Sequence, residues 1–340
     1  MQKEITEKTS LLDSDGRISN PGWARRPFWS YNRENIKASP FRLKEWDYYC
    51  ILNDYTGIAL TLSDMGYLGF AGITVFDFDK KTETSRSVMT PLTLGRWNLP
   101  RDSDSGVSSF ENKTLKIVFS AAENKRKLDF YWKNFNEGMD LSGNIELSTP
   151  PGNDSIVVAT PFKENKHAFY YNRKINCLSA SGSMATGNTR SVFTPADSFG
   201  VLDWGRGVWT YSNTWYWGSA SGLISGLPFG FNIGYGFGDN STHSENAIFY
   251  NGRLHKLDRV TFDIPKDDYL APWHFLDNQG RFDLEFSPLL DRSSRTDLLL
   301  IKSDQHQVFG RFSGKAVLDD GKELHMENLT GFAEKVYNRW

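Results

Sequence analysis

The chain has 340 residues, 39% of them hydrophobic, enough for two domains of ordinary size; aromatic residues reach 14%, with 11 Trp and 24 Phe. Its formal net charge is −2 with acids and bases interspersed, which excludes the basic footprint of a nucleic-acid-binding chain. No run of about 20 apolar residues occurs, so no integral membrane segment or signal-peptide core is read, and a cytoplasmic location is the expectation.

Residues 1–40 are polar and turn-rich, yet they carry Trp23, Phe28, Trp29 and Tyr31. That ring content predicts an ordered strap laid across the body of the protein. From Leu43 the hydrophobic period is two. Leu43 to Cys50, Ile58 to Leu62, Gly69 to Asp79, Leu115 to Phe119, Lys127 to Trp132, Gly143 to Leu147 and Ser155 to Ala159 are predicted strands. Phe130 to Gly138 is the one window with any helical periodicity. Residues 179–200 are small and polar, and the division between a first half, 1–190, and a second, 191–340, is placed there.

The second half continues with Gly207 to Trp217, Gly218 to Gly222, Phe231 to Phe237, Ala247 to Tyr250, Arg253 to Leu257, Val260 to Ile264, Trp273 to Phe275, Phe282 to Phe286, Gln305 to Phe312 and Gly331 to Tyr337. Asn251-Gly252 is a two-residue hairpin turn, and Asp319-Asp320-Gly321 a further turn. Evenly spaced short strands with turn signals predict an all-β chain of two antiparallel β-barrel halves. Cys50 and Cys177 are distant in sequence and read as free buried thiols.

Three constellations could carry chemistry. In the aromatic-rich run from Asp203 to Gly222, Trp209 and Tyr211 share one face if extended, as do Trp215 and Trp217, and Asp203 is spaced for a turn ion pair with Arg206. Glu45 and Asp47 share a strand face; two carboxylates in a desolvated cavity raise one pKa and suit a general acid. In Gly230 to Gly238, Phe231, Ile233, Tyr235 and Phe237 oppose a nearly bare face of Asn232, Gly234, Gly236 and Gly238, where Asn232 could orient a ligand. His255 and His274 fall on probable strands as further ligand-side candidates. Six scattered His and two distant Cys predict no metal site and no cofactor.

The stretches NPGWARRP, RLKEWDYY, Asp203 to Gly222, NIGYGFG, NAIFYNGRLHKL, QHQVFGRFSG and GFAEKVYNRW together resemble the domain of unknown function 2804 family over nearly the whole chain. That family is similar to a wider calycin-type group with two lipocalin-like halves, which includes carotenoid 1,2-hydratases, related plant-toxin hydratases and a fungal survival factor implicated in sphingolipid handling. The resemblance implies two lipocalin-like barrels and either an enzyme or a carrier. Relatives in that group often carry an Asp-His pair beside a Trp on a core strand of the second half; Val208 to Trp217 has none.

The leading functional expectation is binding of a hydrophobic or amphipathic, lipid- or isoprenoid-like molecule in an aromatic-lined cavity. The alternative is a cofactor-independent acid-catalysed hydratase, isomerase or cyclase acting on an alkene or polyene. In it Asp203, Glu45 or Asp47 is the acid, and Trp209, Trp215, Trp217 and Tyr235 are the cation-stabilising wall. A carbohydrate-binding or glycoside-processing protein is the third reading.

Overall fold

Period-two patterning becomes strand along most of the chain. The computed structural model describes residues 2–298 and 301–339. Three short strands, β1 (Thr9–Ser10), β2 (Gly22–Ala24) and β3 (Trp29–Ser30), belong to the N-terminal strap. Then follow β4 (Leu43–Leu52), β5 (Thr56–Asp64), β6 (Leu68–Asp77), β7 (Thr82–Pro91), β8 (Ser105–Glu111), β9 (Leu115–Ala122), β10 (Lys125–Asn136), β11 (Met139–Ser148), β12 (Ile156–Phe162), β13 (Asn165–Thr186), β14 (Thr189–Phe193) and β15 (Phe199–Val208). The rest are β16 (Ser212–Ile224), β17 (Leu227–Tyr235), β18 (Ala247–Tyr250), β19 (Arg253–Lys256), β20 (Val260–Asp263), β21 (Trp273–Asp277), β22 (Phe282–Leu298), β23 (Ile301–Val317) and β24 (Glu323–Arg339).

The strands form two curled, lipocalin-like half-barrel sheets. The first runs β7-β6-β5-β4-β15-β13-β11-β10-β9-β8, with β12, β14 and β2 attached through β13; the second runs β19-β18-β17-β16-β24-β23-β22-β21-β20. The chain passes between them over residues 209–211, so the aromatic run from Asp203 to Gly222 is not one strand but the end of β15 and the start of β16. Trp209 and Tyr211 therefore do not share a face: Trp209 is buried and Tyr211 exposed. The Phe130 to Gly138 window is also corrected. Residues 130–136 complete β10, because Leu128, Phe130 and Trp132 alternate into the core.

Both half-barrels are filled by their own side chains. Leu60, Leu62, Ile117, Phe119, Phe130 and Ile145 pack in the first. In the second, Phe231 sets its ring 5.2 Å from Phe282 and 5.0 Å from Phe312, edge to face. The strap is ordered, as its rings predict. Trp23 pairs with Val158 of β12, and Gln2 reaches the second sheet, accepting from the Ser244 amide at 2.8 Å and donating to Asp258 Oδ1 at 2.9 Å. Asn251 and Gly252 take φ of +47° and +78° between β18 and β19, the left-handed pair that a type I′ turn requires. Cys50 and Cys177 are free and buried. Among the described residues no helix is long and apolar enough to cross a membrane.

Candidate active site at the seam between the two sheets

On a strand buried on both faces, alternate residues serve two different cores. On β13, Tyr171 packs into the first half-barrel, while Tyr170 joins the cluster between the sheets. The register continues this second face across the sheet, setting Lys174 opposite Asp203 on β15 and Asp203 opposite Tyr48 on β4. The facing row on the second sheet is Gly234, Trp217, Glu334 and Gln307, on β17, β16, β24 and β23.

Where these rows meet, one lysine serves two carboxylates. Lys174 Nζ lies 3.1 Å from Asp203 Oδ1 and 3.7 Å from Glu245 Oε2, and sits 3.9 Å above the Trp217 ring. Asn172 donates to Asp203 Oδ1 at 2.5 Å. Glu245 comes from the loop after β17, and its carboxylate occupies the space that a side chain on Gly234 would fill. Glu334 accepts from Trp215 Nε1 at 2.8 Å and from Gln307 Nε2 at 3.0 Å; Gln307 in turn accepts from Arg292 Nη1 at 3.0 Å.

Burial is the largest influence on Glu334. It pushes that carboxyl up to about 7, with the Asp203 charge adding to the rise and the Trp215 hydrogen bond and Lys174 opposing it. Burial also raises Glu245, against the pull of Lys174. These acids are still reachable: the Asp203 and Glu245 side chains are 12% and 13% exposed, and Glu334 is 8% exposed.

Aromatic rings flank it. Trp46 stacks on Tyr170 at 6.1 Å and meets Trp209 edge-on at 5.3 Å; Trp209, Trp215 and Phe237 interlock at 4.8–5.8 Å. Trp46 and Trp215 remain partly exposed. Trp46 covers Gly205 so closely that an added Cβ would come 2.0 Å from its ring. Gly205→Ala is therefore expected to cost about 1–3 kcal/mol of stability, measured by urea unfolding. An unchanged midpoint would show that Trp46 has room to move.

The sequence-predicted residues divide. Asp203, Trp209, Trp215, Trp217 and Asn232 are brought together at the seam. Trp217 donates to Asn232 Oδ1 at 2.7 Å, and Asn232 Nδ2 donates to the Glu245 carbonyl at 2.9 Å. With Lys174 on its face and Tyr48 and Phe332 packed edge-to-face against it, Trp217 supports the site instead of walling it. Glu45, Asp47 and Arg206 lie inside the first half-barrel. Arg206 does not pair with Asp203; its Nη2 donates to Asp47 Oδ1 at 3.0 Å, because β15 turns Asp203 and Arg206 to opposite faces. Glu45 is held by Tyr31 at 2.6 Å and by Arg33 through two bonds of 2.6 and 2.8 Å, while Asp47 also accepts from Ser108. Tyr235 stacks on Tyr216 at 4.6 Å inside the second half-barrel. His255 pairs with Asp319 at 3.3 Å and His274 with Asp283 at 2.8 Å, both away from the seam.

Sequence reasoning missed Lys174, Glu245 and Glu334. The available signal was a charged residue within a strand that is apolar in both phases, as in Phe332-Ala333-Glu334.

A family model described as a domain of unknown function (DUF2804) matches residues 2–340. No curated protein matches. Among solved structures, CghA with Sch210972 is similar at 10% identity and a TM-score of 0.57, with 98% of this chain and 97% of that one covered. A putative AttH from Nitrosomonas europaea is similar at 14% identity and a TM-score of 0.52, with 87% and 92% covered. These likenesses establish the fold.

Proposed function

The chain belongs to the DUF2804 family, and on that premise we propose that the seam between its sheets binds a small, largely apolar, unsaturated molecule that Glu334, in its neutral form, protonates. The observation that carries this reading is a carboxyl pushed up to about 7 and set among tryptophans. A general acid near the working pH is both populated and able to give up its proton. The Glu334 proton passes to one carbon of a C=C bond, whose π pair forms the new C–H bond. The partly exposed faces of Trp46 and Trp215 stabilise the carbocation at the other carbon. Water, or a second double bond of the substrate, then supplies an electron pair to the cation, and the proton released returns to the Glu334 carboxylate. These are hydration and cyclisation; loss of a proton from the neighbouring carbon gives isomerisation.

Asp203, paired with Lys174, lies on the opposite sheet as the polar side of the seam. The seam differs from the two half-barrel cores in carrying buried acids and a lysine among its tryptophans, which supports a ligand-side role for it. That CghA is solved with Sch210972 is in keeping with a small-molecule role for this fold.

The test is incubation in D2O with apolar extract from the native host, read by mass spectrometry. One compound is expected to gain a deuterium or the mass of D2O with the wild type, and to do so about 10²–10⁴-fold more slowly with Glu334→Gln. A compound that co-purifies and stays unlabelled would replace catalysis by carriage. Labelling that Glu334→Gln leaves unchanged, or no bound or labelled compound at all, would overturn the assignment.

A further inference from the structure

We propose a second binding site, at the open end of the second half-barrel, for a small planar aromatic molecule bearing a carboxylate. The register sets His306, Lys335, Tyr216 and Tyr235 side by side across β23, β24, β16 and β17. They occupy the inward phase, because Val308, Ala333 and Ile233, two residues along three of the same strands, are core residues of that half-barrel. All four are half-buried. The Phe262 ring lies 5.4 Å from Tyr235 and 6.0 Å from Tyr216, giving the row an apolar side.

Two features point to the ligand's chemistry. The first is a ring slot. Tyr269, from the loop between β20 and β21, stacks on His306 with centroids 3.8 Å apart and planes 11° from parallel. The imidazole is held by Asp291, 2.7 Å from Nδ1, and Asp304, 3.5 Å from Nε2, so its face is presented in a fixed orientation. The second is a cation. Both imidazole nitrogens already face carboxylates, whereas Lys335 makes no ion pair among the described residues, and its ammonium lies 6.0 Å from the Tyr269 ring centroid. A half-buried ammonium beside a stacking face matches an aromatic acid, whose ring takes the place of Tyr269 on His306 and whose carboxylate pairs with Lys335. Trp273 donates to the Tyr269 carbonyl at 3.0 Å, so displacement of this loop is sensed by a tryptophan.

The experiment is calorimetric titration of the full chain with 2-naphthoate, with tryptophan fluorescence followed in parallel. One saturable site is expected, weakened at least tenfold by Lys335→Met, retained by Lys335→Arg, and tightened several-fold by Tyr269→Ala because the competing ring is gone. Glu334→Gln is expected to leave the affinity unchanged. Absence of saturable binding to both wild type and Tyr269→Ala would overturn the proposal. So would binding that survives Lys335→Met but is lost in Glu334→Gln, since the probe would then sit at the seam.

Discussion

Arg206→Met lowers the unfolding free energy by about 3–5 kcal/mol, the cost of stranding buried charge. Arg206 is fully buried in the first half-barrel. Its guanidinium donates to Asp47 Oδ1 at 3.0 Å, to the Trp46 and Gly205 carbonyls at 2.8 Å and to the Pro100 carbonyl at 2.7 Å, and lies 4.2 Å over the Trp204 ring. Methionine preserves much of the volume but leaves Asp47, among the described residues, with Ser108 alone as a side-chain partner. Glu45 keeps both bonds from Arg33 and loses only the longer 4.0 Å ion pair to Arg206 Nε, so the loss falls mainly on Asp47 and the carbonyls. Adding Asp47→Asn to Arg206→Met is expected to restore part of the stability by removing the stranded charge. Urea unfolding of the single and double variants checks both statements. A loss below about 1 kcal/mol for the single variant would show that water reaches Asp47 when the arginine is gone.

Glu334→Gln is expected to stabilise the protein at neutral and alkaline pH while suppressing turnover. Its carboxyl titrates at about 7 in the folded chain against an ordinary value of 4.5. Between those values the folded state keeps a proton that the unfolded state has lost. Wild-type stability attributable to this group therefore falls as pH rises through that window and levels off above 7. The accumulated cost is about 3 kcal/mol. Glutamine does not titrate, so the stability difference between variant and wild type should grow from pH 4.5 to 7 and then stay constant. The difference is the quantity to measure. Burial also pushes Lys44 and Lys256 down to about 7, and these groups favour folding increasingly as pH rises above that value in both proteins. A difference independent of pH would place Glu334 in an ordinary carboxylate environment and remove the basis for its acid role.

The two expectations behave differently because the groups sit in different surroundings. Glu45 and Asp47 are buried on one strand face, as their i, i+2 spacing requires. The arginines that satisfy them come from the strap and from β15, outside any local window. Among the described residues, Glu334 has no charged group within hydrogen-bond reach; its partners are an indole and an amide. A desolvated acid without a cation at contact keeps its proton, whereas a paired one is held as part of an ion pair.

By itself the sequence determined the all-β class, the strand-rich order, the Asn251-Gly252 turn and the ordered strap, because alternation, turn chemistry and ring content are local properties of the backbone and its side chains. It also singled out Asp203, Trp215 and Trp217 in one aromatic-rich run and Asn232 in a separate glycine-rich strand, and the packing of β15, β16 and β17 brought them together. Only the tertiary structure decided which acid is desolvated without a cation at contact. Trp215 and Glu334 are 119 residues apart, and Tyr48 and Gln307 are separated by 259. A strand buried on both faces offers no polar phase to distinguish the seam from the barrel core. The pKa of a carboxyl is set by its burial and by charges within a few ångströms, and the packing of two sheets supplies both.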